Sequence, residues 1–323
     1  KSIDIALYGI GNIEKINTAL RNAKNRGVKI RAVADYSKNT ENIYPHTLDF
    51  IKQYSAKTDK TEVIMHNKFF IFDKSKVMTG SANITSSGLS YNANLIVFIN
   101  SNDVADIYEK EFNQMYEGKF SIHKEKIEKT KVHLKNSEIE IYFLPKSNAY
   151  NDLILKEIKN AKSEIFLSAF YLTDKEIIME LINAKRRGVN VLVLMDAVGM
   201  INFKTRLNNL KEAKIPVITE NWGGKNHEKT IMIDSSKLIL GSANFSKSAF
   251  LKNDENVILI KNPQIAKFYK NYYLSLFNSI DKKYLRFIPR AESFESKNSC
   301  YDGIDNNFDG LIDIDDKGCQ NHP

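Results

Sequence analysis

The 323-residue chain has only two cysteines and one tryptophan. It has no apolar run near the roughly 18 residues that a membrane-spanning helix needs, which excludes a hydrophobic bilayer span. Hydrophobic residues at 42% and charged residues at 27% exclude a disordered, collagenous or fibrous chain. At about 150 residues per domain, two structural units are expected. The first residue is Lys1, and no succession of basic, apolar and small-residue regions follows it. A trimmed start, with the signal sequence missing, is the expectation.

Both cysteines, Cys300 and Cys319, lie in the acidic last stretch, 19 positions apart. A disulfide closing that short loop is expected, worth about 3 kcal/mol in a loop-entropy account. It implies an oxidising location: secreted, periplasmic or cell-surface. The formal charge is 47 − 39 = +8, unevenly spread. Residues 300–323 hold six Asp and one Lys, a local −5, leaving +13 on residues 1–299. That body suits an anionic partner such as a phosphate ester, nucleic acid or an anionic membrane surface; Lys-rich solvated helices would account for the charge equally well.

An internal repeat organises the chain. Ala23, Gly27 and Asp35 recur at Ala184, Gly188 and Asp196, and His66, Lys68, Asp73, Gly80, Ser81, Ala82 and Asn83 recur at His227, Lys229, Asp234, Gly241, Ser242, Ala243 and Asn244, always 161 positions on. A constant offset over such a span predicts a duplicated fold. Each copy shows an apolar strand (3–8; 165–171), a helix (13–26; 175–187), a second strand ending at the Asp, two strands around a turn at 73–75 or 234–236, and a closing helix (104–116; 265–277). The expected class is α/β, with two sandwich halves each carrying a mostly parallel or mixed sheet. The second copy has a prelude, a strand at 139–144 and a helix at 151–162, that the first lacks. The expected division is 1–134, 135–290 and a linker with Asp-rich tail at 291–323.

Each copy reads His-x-Lys-x4-Asp-x6-Gly-Ser-Ala-Asn. Residues two apart on a strand face the same side, so imidazole and ammonium project together, and the return strand brings a hydroxyl and a carboxamide. The set suits a phosphodiester: a nucleophile or acid, a point charge and neutral donors. Small Gly80-Ser81-Ala82 is expected to let backbone approach the anion closely.

These motifs resemble those of the phospholipase D superfamily, over about residues 1–285. The resemblance implies two halves paired by a pseudo-twofold axis, both motifs meeting at one active site, and an intramolecular pseudo-dimer that needs no second chain. It also implies a phosphoric diester hydrolase, most specifically of the phospholipase D reaction, working through a phosphohistidine without a catalytic metal. The implied catalytic set is His66, Lys68, Asp73, His227, Lys229 and Asp234, with the two Asp read as turn or ion-pair residues. Ser81, Asn83, Ser242 and Asn244 are implied at the substrate. Family members place an acidic residue about 28 positions after the motif His, to orient its ring; here these positions hold Asn94 and Glu255. A carboxamide adds no charge, so His66 is expected to be the less basic ring; family habit favours it as the nucleophile, and the reversed assignment to His227 stays open.

In the tail, Asp305, Asn307, Asp309, Asp313 and Asp316, with the Leu311 carbonyl and Gly310, match the positions of an EF-hand calcium loop. A structural calcium ion is expected there. The tail resembles cysteine-bracketed Asp-rich tails of bacterial secreted proteins. Three readings of the main site remain: a phospholipase, for which Ala197–Phe203 could dip into a lipid surface; a nuclease, for which Trp222 could stack a base; and, least supported, a scaffold without chemistry.

Overall fold

The computed structural model describes residues 1–280 except 12, 37–44, 60, 91, 129, 203 and 221–223, and residues 300, 301, 303 and 311–320. The first sheet is built from Ser2–Leu7 (β1), Lys29–Asp35 (β2), Lys57–Asp59 (β3), Lys68–Phe72 (β4), Lys76–Gly80 (β5) and Ile96–Asn100 (β6), in the order β3-β2-β1-β4-β5-β6. Neighbours are parallel across β1, β2 and β3 and antiparallel from β1 through β4 and β5 to β6.

The second sheet comprises Lys131–Leu134 (β7), Ser137–Leu144 (β8), Glu164–Ala169 (β9), Asn190–Met195 (β10), Val217–Thr219 (β11), Lys229–Ile233 (β12), Lys237–Gly241 (β13) and Glu255–Lys261 (β14). Its order, β11-β10-β9-β12-β13-β14-β8-β7, repeats the first and adds a hairpin at the β14 edge. Residues 131–134, expected in the first half, therefore belong to the second sheet. The mixed α/β architecture agrees with the reading of the sequence.

Buried apolar residues fall into three clusters. One packs outside the first sheet around Ile5, Leu20 and Phe50, and one outside the second around Leu167, Leu181 and Phe250. The third draws on both sheets and takes in Tyr108 and Phe112 of helix Asn102–Tyr116 and Tyr269 and Tyr273 of helix Pro263–Ser279. With apolar cover on both faces, the central strands are buried on both sides; every residue of β12 is buried, Lys229 and Thr230 included. Ser101 and Asn262 cap the two inner helices by accepting backbone N–H bonds, and they too stand 161 positions apart. The central cluster joins both halves, so burial that stabilises each sheet, about 1.5–3 kcal/mol per large side chain, also fixes one against the other.

Gly80 and Gly241 close the motif strands for a reason other than the expected one. A Cβ at residue 80 would stand 2.0 Å from the Leu95 carbonyl oxygen, and one at residue 241 would stand 2.1 Å from that of Asn256. Those carbonyls accept bonds from the Ser81 and Ser242 amides. The glycines thus admit the neighbouring strand, not the anion.

Candidate active site

At each motif the two halves hold one another. The His66 amide donates to the Asp254 carbonyl (2.8 Å), and the His227 amide donates to the Ala93 carbonyl (2.9 Å). Isolated bridges join Met65 to Asp254 and Ala93 to Asn226. Each histidine therefore enters the seam beside the other half's chain, and residues 94 and 255 follow immediately on that chain.

The consequence is a crossed pairing. His66 Nδ1 lies 2.8 and 3.0 Å from the two Glu255 oxygens, and His227 Nδ1 lies 3.1 Å from Asn94 Oδ1. This corrects the expectation that Asn94 serves His66. The carboxylate backs His66, which becomes the more basic ring of the two. Acceptors settle the tautomers: Glu255 can only accept, and Asn94, whose Nδ2 donates to the Gly88 carbonyl, turns its oxygen to His227. Both rings donate from Nδ1 and carry a lone pair on Nε2 when neutral.

His66, His227, Asn83 and Asn244 border a single cleft of about 510 Å³. Tyr8 and Phe170, which sequence reasoning missed, stand against the rings at 4.8 and 4.9 Å between centroids. Lys68 and Lys229 are each 2% exposed and sit behind the histidines. Their Nζ groups donate to the His66 and His227 carbonyls (2.7 and 2.8 Å) and lie over the Tyr8 and Phe170 rings. Ser81 and Ser242 are placed deeper than expected. Ser81 Oγ donates to Asn94 and accepts from the Leu95 amide, and Ser242 Oγ accepts from the Asn256 amide. They brace the residues behind the rings.

Asp73 and Asp234 are not in the cleft. Each sits at positive φ in the turn at the far end of its five-residue motif strand, about 16 Å from the His end at 3.3 Å per residue. Asp73 accepts from the Ser2 amide (3.0 Å), and Asp234 gathers the amides of Lys162, Ser163 and Glu164. They fasten the starts of β1 and β9, so their place in the catalytic set is withdrawn.

Burial, then the surrounding cations, set the protonation states. Burial pushes His66 down to about 4 against the support of Glu255, with Lys68 adding to the fall. Burial, then Lys229, Lys68 and His66, hold His227 well below the usual imidazole range. Lys68 is pushed down to about 7 by burial, with Glu255 and Asp35 opposing, and burial and Lys68 hold Lys229 well below an ordinary lysine. Burial also works against Glu255, yet its contacts with His66, Lys68 and Ser242 keep it below an ordinary glutamate. Without substrate the site has two neutral rings around one carboxylate.

Sequence reasoning also missed a carboxyl pair behind each lysine. Asp35 and Asp59 stand opposite one another at the ends of β2 and β3. Asp196 and Glu220 hold the same positions 161 residues on, where both Glu220 oxygens accept from the Ala197 amide. The signal was the offset itself, unread at 59 and 220 because Asp and Glu differ in name.

Three other expectations fall elsewhere. Ala197–Asn202 is a helix, not a loop, whose Val198 and Gly199 amides donate to Asp196, with Ala197 and Met200 buried; Phe203 lies outside the described residues. Trp222 lies outside the described residues, as do Asp305, Asn307 and Asp309. Of the remaining tail ligands, Asp313 Oδ2 accepts from the Gly303 amide, Asp316 Oδ1 accepts from the Gly318 amide, and Leu311 is exposed. Among the described residues no three His, Cys, Asp or Glu side chains gather as a metal site, and no helix is long and apolar enough to cross a membrane. Cys300 and Cys319 form a disulfide.

The family described as cardiolipin synthase, PLD-like domain, matches residues 1–116 and 154–277. A phospholipase D of Rickettsia prowazekii is 36% identical over 142 residues, 44% of this chain and 69% of the relative. A mitochondrial cardiolipin hydrolase of Xenopus laevis is 25% identical over 150 residues, 46% of this chain and 71% of the relative. The crystal structure of phosphatidylserine synthase from Haemophilus influenzae shares the fold, with a TM-score of 0.66 at 15% identity over 86% of this chain and 81% of that one.

Proposed function

The chain belongs to the phospholipase D-like family whose description matches both of its halves, and from that premise we propose that it hydrolyses phospholipid phosphodiesters through a phosphohistidine on His66. The observation that carries this reading is the convergence of two imidazoles, with a buried ammonium group behind each, on one cleft. His66 Nε2 attacks phosphorus, and the bond to the leaving alcohol breaks as His227 protonates the departing oxygen. Water then attacks phosphorus, His227 takes its proton, and the P–N bond breaks, returning the electron pair to His66 and releasing a phosphate monoester.

His66 is the nucleophile because Glu255 steadies the positive charge its ring acquires on attack. His227, beside a neutral amide, must arrive at the step protonated. The negative charge of the incoming diester supplies what its surroundings lack, raising the basicity of that ring as substrate seats. Lys68 and Lys229 offset charge on the phosphoryl oxygens, and Asn83 and Asn244 supply neutral donors.

The two relatives, a phospholipase and a cardiolipin hydrolase, favour lipid over nucleic acid. The disulfide fits the proposed secreted, periplasmic or cell-surface location, and the proposed calcium ion of the tail rests on the spacing of Asp305 to Asp316. One assay tests these together. Vesicles of phosphatidylglycerol or cardiolipin, and separately single- and double-stranded DNA, are offered with and without EDTA. Lipid turnover is expected to survive chelation, while proteolysis of the tail accelerates. DNA cleavage with steep salt inhibition and no lipid turnover would replace the lipid reading with a nuclease.

The site also predicts an acidic working range. Below about pH 4 His66 takes a proton and loses its nucleophilic lone pair, and above about pH 7 Lys68 loses its charge. The kcat/KM profile should therefore rise and fall between those limits; a plateau extending to pH 9 would contradict these assignments.

A further inference from the structure

Two residues at the mouth of the cleft share the 161-residue offset but not their chemistry. Ile64 precedes His66 by two positions, Lys225 precedes His227 by two, and both border the cleft. Their backbones are held alike across the seam: the Ile64 carbonyl accepts from the Asp254 amide (3.0 Å), and the Lys225 carbonyl accepts from the Ala93 amide (2.8 Å). Lys225 is fixed once more, its amide donating to Asn92 Oδ1 at 2.9 Å. The near-symmetric cleft is thus apolar at one lip and cationic at the other.

Position gives that difference a direction. In-line displacement puts the departing oxygen opposite the attacking ring, on the side of the acid. Lys225, His227 and Lys229 alternate along one extended segment, with buried Asn226 turned the other way, so Lys225 shares the face of His227. Lys225 is exposed, and its Nζ lies 5.7 Å from the Phe170 ring centroid, beside the acid. No carboxylate borders the cleft among the described residues, since Glu255 is buried behind His66. A choline or ethanolamine headgroup would meet cations and no counter-charge.

We propose that Lys225 forms an anion subsite on the leaving-group side, so that the preferred diester is one whose leaving alcohol carries a second phosphate. This rests on the reading of the site as a phosphodiesterase with His66 as nucleophile and goes beyond it by naming the substrate's second charge. A charge-assisted contact to phosphate supports a preference of about tenfold.

Deacylated cardiolipin and deacylated phosphatidylglycerol test the subsite free of any membrane, because the leaving alcohol of the first carries a phosphodiester and that of the second does not. The native protein should favour the first about tenfold in kcat/KM. Lys225→Gln should reduce that ratio to near unity through KM, and Lys225→Glu should invert it. Calorimetric binding of the same pair to His66→Ala protein, with and without Lys225→Gln, reads the ratio where turnover is absent. A ratio that Lys225→Gln leaves intact, in turnover or in binding, overturns the subsite. Cleavage of both soluble diesters without cleavage of vesicles would overturn the lipid reading and leave the subsite standing. Ile64→Lys is the companion variant: a cation at the opposite lip should not restore the preference lost by Lys225→Gln, and restoration would show that only total charge matters.

Discussion

Replacing His227 with asparagine is expected to stop turnover while leaving the first chemical step intact for a suitably activated ester. A p-nitrophenyl phosphodiester needs no proton on its leaving group, so His66 can still displace it. Hydrolysis of the adduct, which needs His227 to take a proton from water, should slow by about 10⁴-fold. The expected record is one equivalent of p-nitrophenolate per protein, then little more, with the phosphoryl group on residue 66 by mass spectrometry. His66→Ala should lose the burst and the turnover together. A phosphoryl group on residue 227 in a His66→Asn protein that still gives a burst would reverse the two roles. The contrast separates chemistry from folding damage, because a misfolded His227→Asn protein would give no burst.

The second large effect concerns the residues behind the rings. Glu255→Gln keeps an acceptor for His66 Nδ1 but removes the charge that the phosphohistidine-forming step calls on. A loss of about 10²-fold in kcat/KM is expected, with the acidic limb moving to lower pH because the ring is deprived of its counter-ion. Asn94→Asp should act on the other ring: His227 gains a carboxylate and holds its proton to higher pH, while the acidic limb set by His66 stays where it is. Were Asn94→Asp to move the acidic limb instead, residue 94 would be serving His66 and the crossed pairing would be refuted. Tautomer and charge are separated in this pair, since Glu255→Gln and Asn94→Asp each leave an oxygen facing Nδ1.

Much of this site was legible before any coordinates. The offset of 161 identified both histidines, both lysines and both asparagines, and strand periodicity placed His and Lys on one face. Crossing was not legible. A residue 28 positions past the histidine was expected to serve its own half's ring, but the ring it meets depends on how two halves pack, and Asp254 and Ala93 pair with the opposite motif. Asp73 and Asp234, read from the sequence as turn or ion-pair residues of the motif, stand in the turns, because a five-residue strand carries its ends far apart. The helix at Ala197–Asn202 had a readable signal in Asp196, whose side chain caps it. Asp59 with Glu220, and Ile64 with Lys225, escaped because a search for identical residues passes over positions where the copies have diverged.

The exchange of partners between halves also bears on how such a chain could arise. Two copies of the first half, associating as the halves do here, would back both imidazoles with an amide; two copies of the second would back both with a carboxylate. Neither self-association yields one ring of each kind. A pair of unlike halves does, and with residues 94 and 255 different, carrying both halves on one chain guarantees that pairing, by which nucleophile and acid are told apart.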